Sequence, residues 1–112
     1  MDVTAETFER DVVERSHELP VVVDFWAAWC GPCRMLAPAI EAEVAKREGK
    51  IELAKIDVDA QQALATHYGI QSIPTVAVFR DGKPITGFVG THPAAAIGRF
   101  LDQLLEEGVK RA

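Results

Sequence analysis

Cysteine is scarce in this chain: of 112 residues, only Cys30 and Cys33 carry a thiol. Two are too few for the disulfide lattice of a small secreted domain. Lysine and arginine are also in the minority, 12 against 17 acids, and form no cluster, so the net charge of −5 disfavours nucleic acid as a partner. Long apolar runs are missing. The longest, Leu19–Trp29, is interrupted by Asp24 and falls short of the ~18 residues of a membrane span. The stretch from Asp2 to Asp11 is acidic and polar, unlike a secretory leader, so a cytoplasmic location is expected. Histidine is limited to His17, His67 and His92. The predicted layout brings none of them to the cysteines, so zinc lacks a ligand set and no metal is expected. There is no repeat, linker or low-complexity segment, and this length suits one domain over residues 1–112 with a core of its own.

What is present reads as alternating strands and helices. Thr4 is placed to cap a helix over about 5–17, with Phe8, Val12 and Val13 as its apolar stripe. Val21–Trp26 is β-branched and aromatic on both faces, as in a central strand. Leu36, Ile40 and Val44 predict a helix over about 33–47, bent at Pro38 and stopped by Gly49. A strand over Ile51–Val58 and a helix over Ala60–Tyr68, ended by Gly69, come next. Thr75–Phe79 and Ile85–Val89 pair through the turn Arg80-Asp81-Gly82-Lys83. Pro93 opens a last helix whose inner face is Ile97, Phe100, Leu101, Leu104 and Leu105. Phe8, Phe25, Phe79 and Phe100 are core by periodicity, and Trp26 is expected to pack behind the cysteines. The order implies an α/β fold, a mixed sheet with helices on both faces.

The chemistry sits in Trp29-Cys30-Gly31-Pro32-Cys33. Residues i and i+3 on the first turn of a helix lie ~5–6 Å apart, inside the ~4.4–6.8 Å window that a disulfide needs. This pair can therefore close and reopen, which makes it a two-electron redox site. Cys30, at the helix N-terminus, meets unpaired N–H groups and the positive end of the dipole, which favour a thiolate and mark it as the attacking sulfur. Cys33, one turn further in, is expected to be the more buried, resolving thiol. Asp24 stands out in the run Val21–Trp26, because a carboxylate buried there has a raised pKa and a reason to be kept. Lys55 shares a strand face with Ile51 and Leu53 and is expected to point inward.

The segment Val23-Asp24-Phe25-Trp26-Ala27-Ala28-Trp29-Cys30-Gly31-Pro32-Cys33 resembles the active-site stretch of the thioredoxin family, as do Ile73-Pro74-Thr75, the Asp24/Lys55 pairing, Pro38 and Gly90. The resemblance runs from about Thr4 to Leu105. It implies a thioredoxin fold whose first strand is short or absent here, since only Met1–Val3 precede the first helix. It also implies a proton relay from Cys33 to Asp24 with Lys55 close by, and a cis Ile73-Pro74 bond facing the cysteines. Trp29, Gly31, Pro32, Ile73, Pro74, Gly90 and Thr91 would then form a flat, apolar surface for extended client chains. The implied activity is reduction of disulfides in client proteins by a monomer that binds no cofactor. A reductase of the NADPH-linked flavoprotein kind would regenerate it. Two other readings are an oxidase or isomerase of an oxidising compartment, disfavoured by Pro32 before Cys33, and a redox or chaperone-associated module of a longer protein, for which the charged tail from Glu106 leaves room.

Overall fold

The computed structural model describes the backbone of residues 1–111 and the side chains through Glu106; the charged tail beyond Glu106 lies outside the described side chains. Four strands, β1 (Val21–Trp26), β2 (Glu52–Asp57), β3 (Thr75–Arg80) and β4 (Lys83–Val89), form one sheet in the order β2-β1-β3-β4. β1 runs parallel to β2 and antiparallel to β3, and β3 is antiparallel to β4, so the sheet is mixed. β1 is central, which is why its residues are apolar on both faces. Val21, Val23 and Phe25 pack with Phe8, Val12, Ala54, Ile56 and Phe79 on one side. Val22 packs with Leu36, Ile40, Val76, Ile97 and Leu101 on the other.

That second face is covered by α1 (Gly31–Ala45) and α3 (Ala94–Arg111), while α2 (Gln62–His67) is a short connector. Phe100 is half-buried and meets Phe88 edge-on. α1 continues through Pro38, where a turn of helix lacks its N–H donor. The C-terminal half of α1 is clamped to α3 by Arg47, just beyond its end. Its guanidinium donates to Glu43 Oε1 (3.0 Å), to the Gly98 carbonyl (3.0 Å) and to Asp102 Oδ1 (2.9 Å). Glu43 is buried there, and Lys46 and Arg47 hold its carboxyl below the usual carboxylate range.

One helix differs from the sequence expectation. The anticipated α-helix over 5–17 is instead a π-helical stretch, Glu9–Glu14, followed by a 3₁₀ turn, Arg15–His17. Thr4 does not cap it through its hydroxyl; its N–H donates to Thr7 Oγ1 (3.0 Å). Tertiary anchoring overrides the weak helical preference of Val12-Val13. Phe8 and Val12 enter the core, and buried Ser16 accepts the Gly82 N–H on Oγ (2.8 Å) and the Asp81 N–H on its carbonyl (3.0 Å). The first strand is short: Asp2 makes a single parallel bridge to Lys55, with Val3 N–H donating to the Lys55 carbonyl (2.9 Å).

The hairpin forms as read, with Asp81 (φ 54°) and Gly82 (φ 85°) both left-handed, as a two-residue primed turn requires. Strand β4 also holds a steric constraint, because a Cβ on Gly87 would fall 2.2 Å from the Val76 carbonyl oxygen. Gly87→Ala is therefore expected to destabilise the protein by roughly 1–3 kcal/mol through forced displacement of β4. Urea unfolding reads this directly, and an unchanged midpoint would contradict the close β3–β4 approach.

Candidate redox site

Cys30 caps α1 in an extended conformation (φ −86°, ψ 108°), with Pro32 in the first turn. It is joined to Cys33 as a disulfide, the two Cα atoms 5.3 Å apart. The Cys33 backbone N–H donates to Cys30 Sγ (3.2 Å), so the helix mouth supports negative charge on that sulfur. Burial does not distinguish the pair as anticipated: Cys30 is 4% exposed and Cys33 3%. Both are packed with Ala27 against Trp26, Val58 and Ile73, which covers each to the same degree.

Asp24 is 1% exposed, and neither carboxylate oxygen has a hydrogen-bond partner. Burial raises its pKa from 3.8 to about 6, Lys55 opposes that rise, and Glu41 adds to it. Asp24 and Lys55 are register partners across β1 and β2, yet they form no ion pair. The inward-pointing expectation for Lys55 holds only for its stem. The ammonium lies 5.4 Å from the Trp26 ring centre and reaches Glu41 Oε2 at 3.1 Å near the surface, because a buried ammonium is costly and a long stem lets it escape. Trp26 itself is half-buried against the cysteines, as expected, and its indole N–H is unpartnered.

Around the disulfide, Trp29 is 68% exposed and its indole N–H donates to Asp59 Oδ2 (2.8 Å). With Val58, Ile70, Gln71, Ser72 and Ile73, it lines a shallow groove of about 290 Å³. The Ile73-Pro74 bond is cis, and the Pro74 carbonyl accepts the Gly90 N–H (2.8 Å). Space around Gly31 is open, and Pro32 is exposed. Thr91 is exposed beside Gly90, and among the described residues no hydrogen bond ties it to the site.

The arrangement has counterparts. The profile described as Thioredoxin matches residues 1–103. The chain belongs to the thioredoxin family. A thioredoxin of Streptomyces clavuligerus is 47% identical over 98 residues, covering 88% of this chain and 89% of its own. Thioredoxin 1 of a Nostoc species is 41% identical over 103 residues, covering 92% and 94%. A Staphylococcus aureus thioredoxin is 46% identical over 84 residues, covering 75% and 81%. As a thioredoxin-family member, this chain is a thiol-disulfide oxidoreductase that reduces protein disulfides. Its redox group is its own Cys30–Cys33 disulfide, and thioredoxins need no cofactor. The chaperone-associated module is not favoured. Among the described residues, no group of three or more His, Cys, Asp or Glu is gathered as a metal site, and no helix is long and apolar enough to cross a membrane.

Sequence reasoning missed three contacts in this thioredoxin-type site. Asp59 as acceptor for Trp29 carries no periodic signal, because it lies in the loop after β2, 30 residues away in sequence. Arg34, whose guanidinium donates to the Ala28 carbonyl (2.7 Å), braces the same loop as Trp29. Glu41 was legible: Cys33, Ala37 and Glu41 follow one another at i+4, on one face of α1.

Proposed function

We propose that Cys30 is the nucleophile and Cys33 the resolving thiol of this disulfide reductase. The Cys30 thiolate attacks one sulfur of a client disulfide, forming a Cys30–client bond and expelling the other client sulfur as a thiolate. Cys33 then loses its proton and attacks Cys30 Sγ. The Cys30–Cys33 disulfide forms, and the client leaves as a dithiol carrying the two electrons. The observation that carries this reading is the Cys33 N–H directed at Cys30 Sγ, which favours charge on the first sulfur alone.

Asp24 receives the Cys33 proton in this scheme. It lies on the same face of β1 as Val22, beneath the helix that carries Cys33, and its raised pKa lets it hold a proton near neutrality. Lys55 tunes that carboxyl. Trp29, Gly31, Pro32, Ile73, Pro74, Gly90 and Thr91 receive the client, with apolar contact at Trp29 and the groove, and backbone pairing at Ile73. The chain works as one domain over residues 1–112, as a monomer in the cytoplasm, and an NADPH-linked flavoprotein reductase returns it to the dithiol.

Equilibration with glutathione redox pairs tests the direction of electron flow. The expected potential lies below about −200 mV. A higher value would mark an oxidase or isomerase instead.

A further inference from the structure

The unpartnered Asp24 carboxyl and the cation nearest to it pose a question of competition. Lys55 stands opposite Asp24 in the β1–β2 register, on the same sheet face, where neighbouring strands are ~4.8 Å apart. Its ammonium nevertheless goes to Glu41 Oε2 on α1, at 3.1 Å, with its stem beside the Trp26 ring. We propose that Glu41 is a positioning residue of the redox site: by holding the Lys55 ammonium, it keeps that cation off Asp24 and leaves the carboxyl able to carry a proton.

The surroundings of Asp24 fit this assignment. From β2 it faces Lys55, and from β3 its register partner is Val76, which carries no charge. From α1 come Glu41 and, when reduced, the Cys33 thiol. α3 contributes Ile97 and Leu101 to this face. The protonation of Asp24 thus depends on one cation and on the anion that engages it. Lys55 is 22% exposed and Glu41 51%, so the contact sits at the rim of the buried carboxyl, where the ammonium can turn either way. Glu41 acts in two ways with the same sign: it repels charge on Asp24 directly, and it diverts the charge that would stabilise it.

The inference rests on the relay role proposed for Asp24, and the test separates the two. The Asp24 carboxyl carbon is followed by NMR against pH in wild type, Glu41→Gln, Lys55→Gln and the double variant. Insulin reduction is measured over the same pH range. The expected result is a fall of the Asp24 midpoint by about one pH unit in Glu41→Gln, with a markedly smaller fall when the same change is made in the Lys55→Gln background. An unmoved midpoint, or an equal fall in both backgrounds, overturns the positioning role of Glu41. A midpoint that falls as expected while the activity profile stays in place upholds Glu41 and removes Asp24 from the relay instead.

Discussion

Cys30→Ser is expected to precipitate insulin no faster than dithiothreitol alone, because a serine hydroxyl at the helix mouth is not ionised near neutrality and forms no disulfide. Cys33→Ser should behave differently. Cys30 can still attack, since the Cys33 N–H that supports its sulfur belongs to the backbone and survives the substitution. With no second thiol to displace the client, the covalent Cys30–client adduct accumulates up to one equivalent, visible by mass spectrometry and reversible with dithiothreitol. Free client from Cys33→Ser at the wild-type rate, or activity retained in Cys30→Ser, would reverse the order assigned to the two sulfurs. The near-equal burial of Cys30 and Cys33 makes this experiment decisive, since accessibility alone does not rank them.

The second large effect concerns stability. Asp24 is raised from 3.8 to about 6 by burial, so the folded protein binds its proton more tightly than the unfolded chain does. The contribution of Asp24 to folding stability is then full below about pH 3.8 and is lost as pH rises through 6, by roughly 3 kcal/mol in all at ~1.4 kcal/mol per pH unit. Asp24→Asn removes the ionisation while keeping the shape. Its stability relative to wild type should therefore be roughly 2.5 kcal/mol more favourable at pH 8 than at pH 4, where the unfolded carboxyl is already partly ionised. Both side chains occupy the same buried site, so the comparison between the two pH values isolates the charge. Urea titrations of the oxidised forms give the numbers. A difference that does not change with pH would mean that Asp24 titrates like an exposed carboxylate. The same substitution is expected to slow client release near neutrality, where the Cys33 proton would lose its acceptor.

Much of this molecule was readable from the chain, and for identifiable reasons. Val21–Trp26 is apolar at every position but Asp24, and a strand covered on both faces has to be. Asp81-Gly82 is one of the few dipeptides that tolerates two successive left-handed residues, so the hairpin was legible in its turn. The Cys30–Cys33 spacing carried its own geometry. What escaped was determined by partners distant in sequence. The winding of Glu9–His17 is decided by Ser16 meeting a loop 66 residues away, which no local pattern encodes. Lys55 lies on the face its register predicts, but the place of its charged end depends on Glu41, 14 positions earlier. Glu43 is buried because Arg47 pairs with it, and Arg47 is itself held by the Gly98 carbonyl and Asp102 on α3, more than 50 residues away.

The Arg47 clamp has a bearing on the electron-transfer cycle. Because Arg47 ties the far end of α1 to α3, the helix is bolted down about three turns from the sulfurs. Breaking the Cys30–Cys33 bond acts at the opposite end of that anchored rod, so any rearrangement is expected to stay within its opening turn. Oxidised and reduced forms are then expected to present nearly one shape, so that what a client or a regenerating enzyme would distinguish is the state of two sulfurs rather than a change of outline.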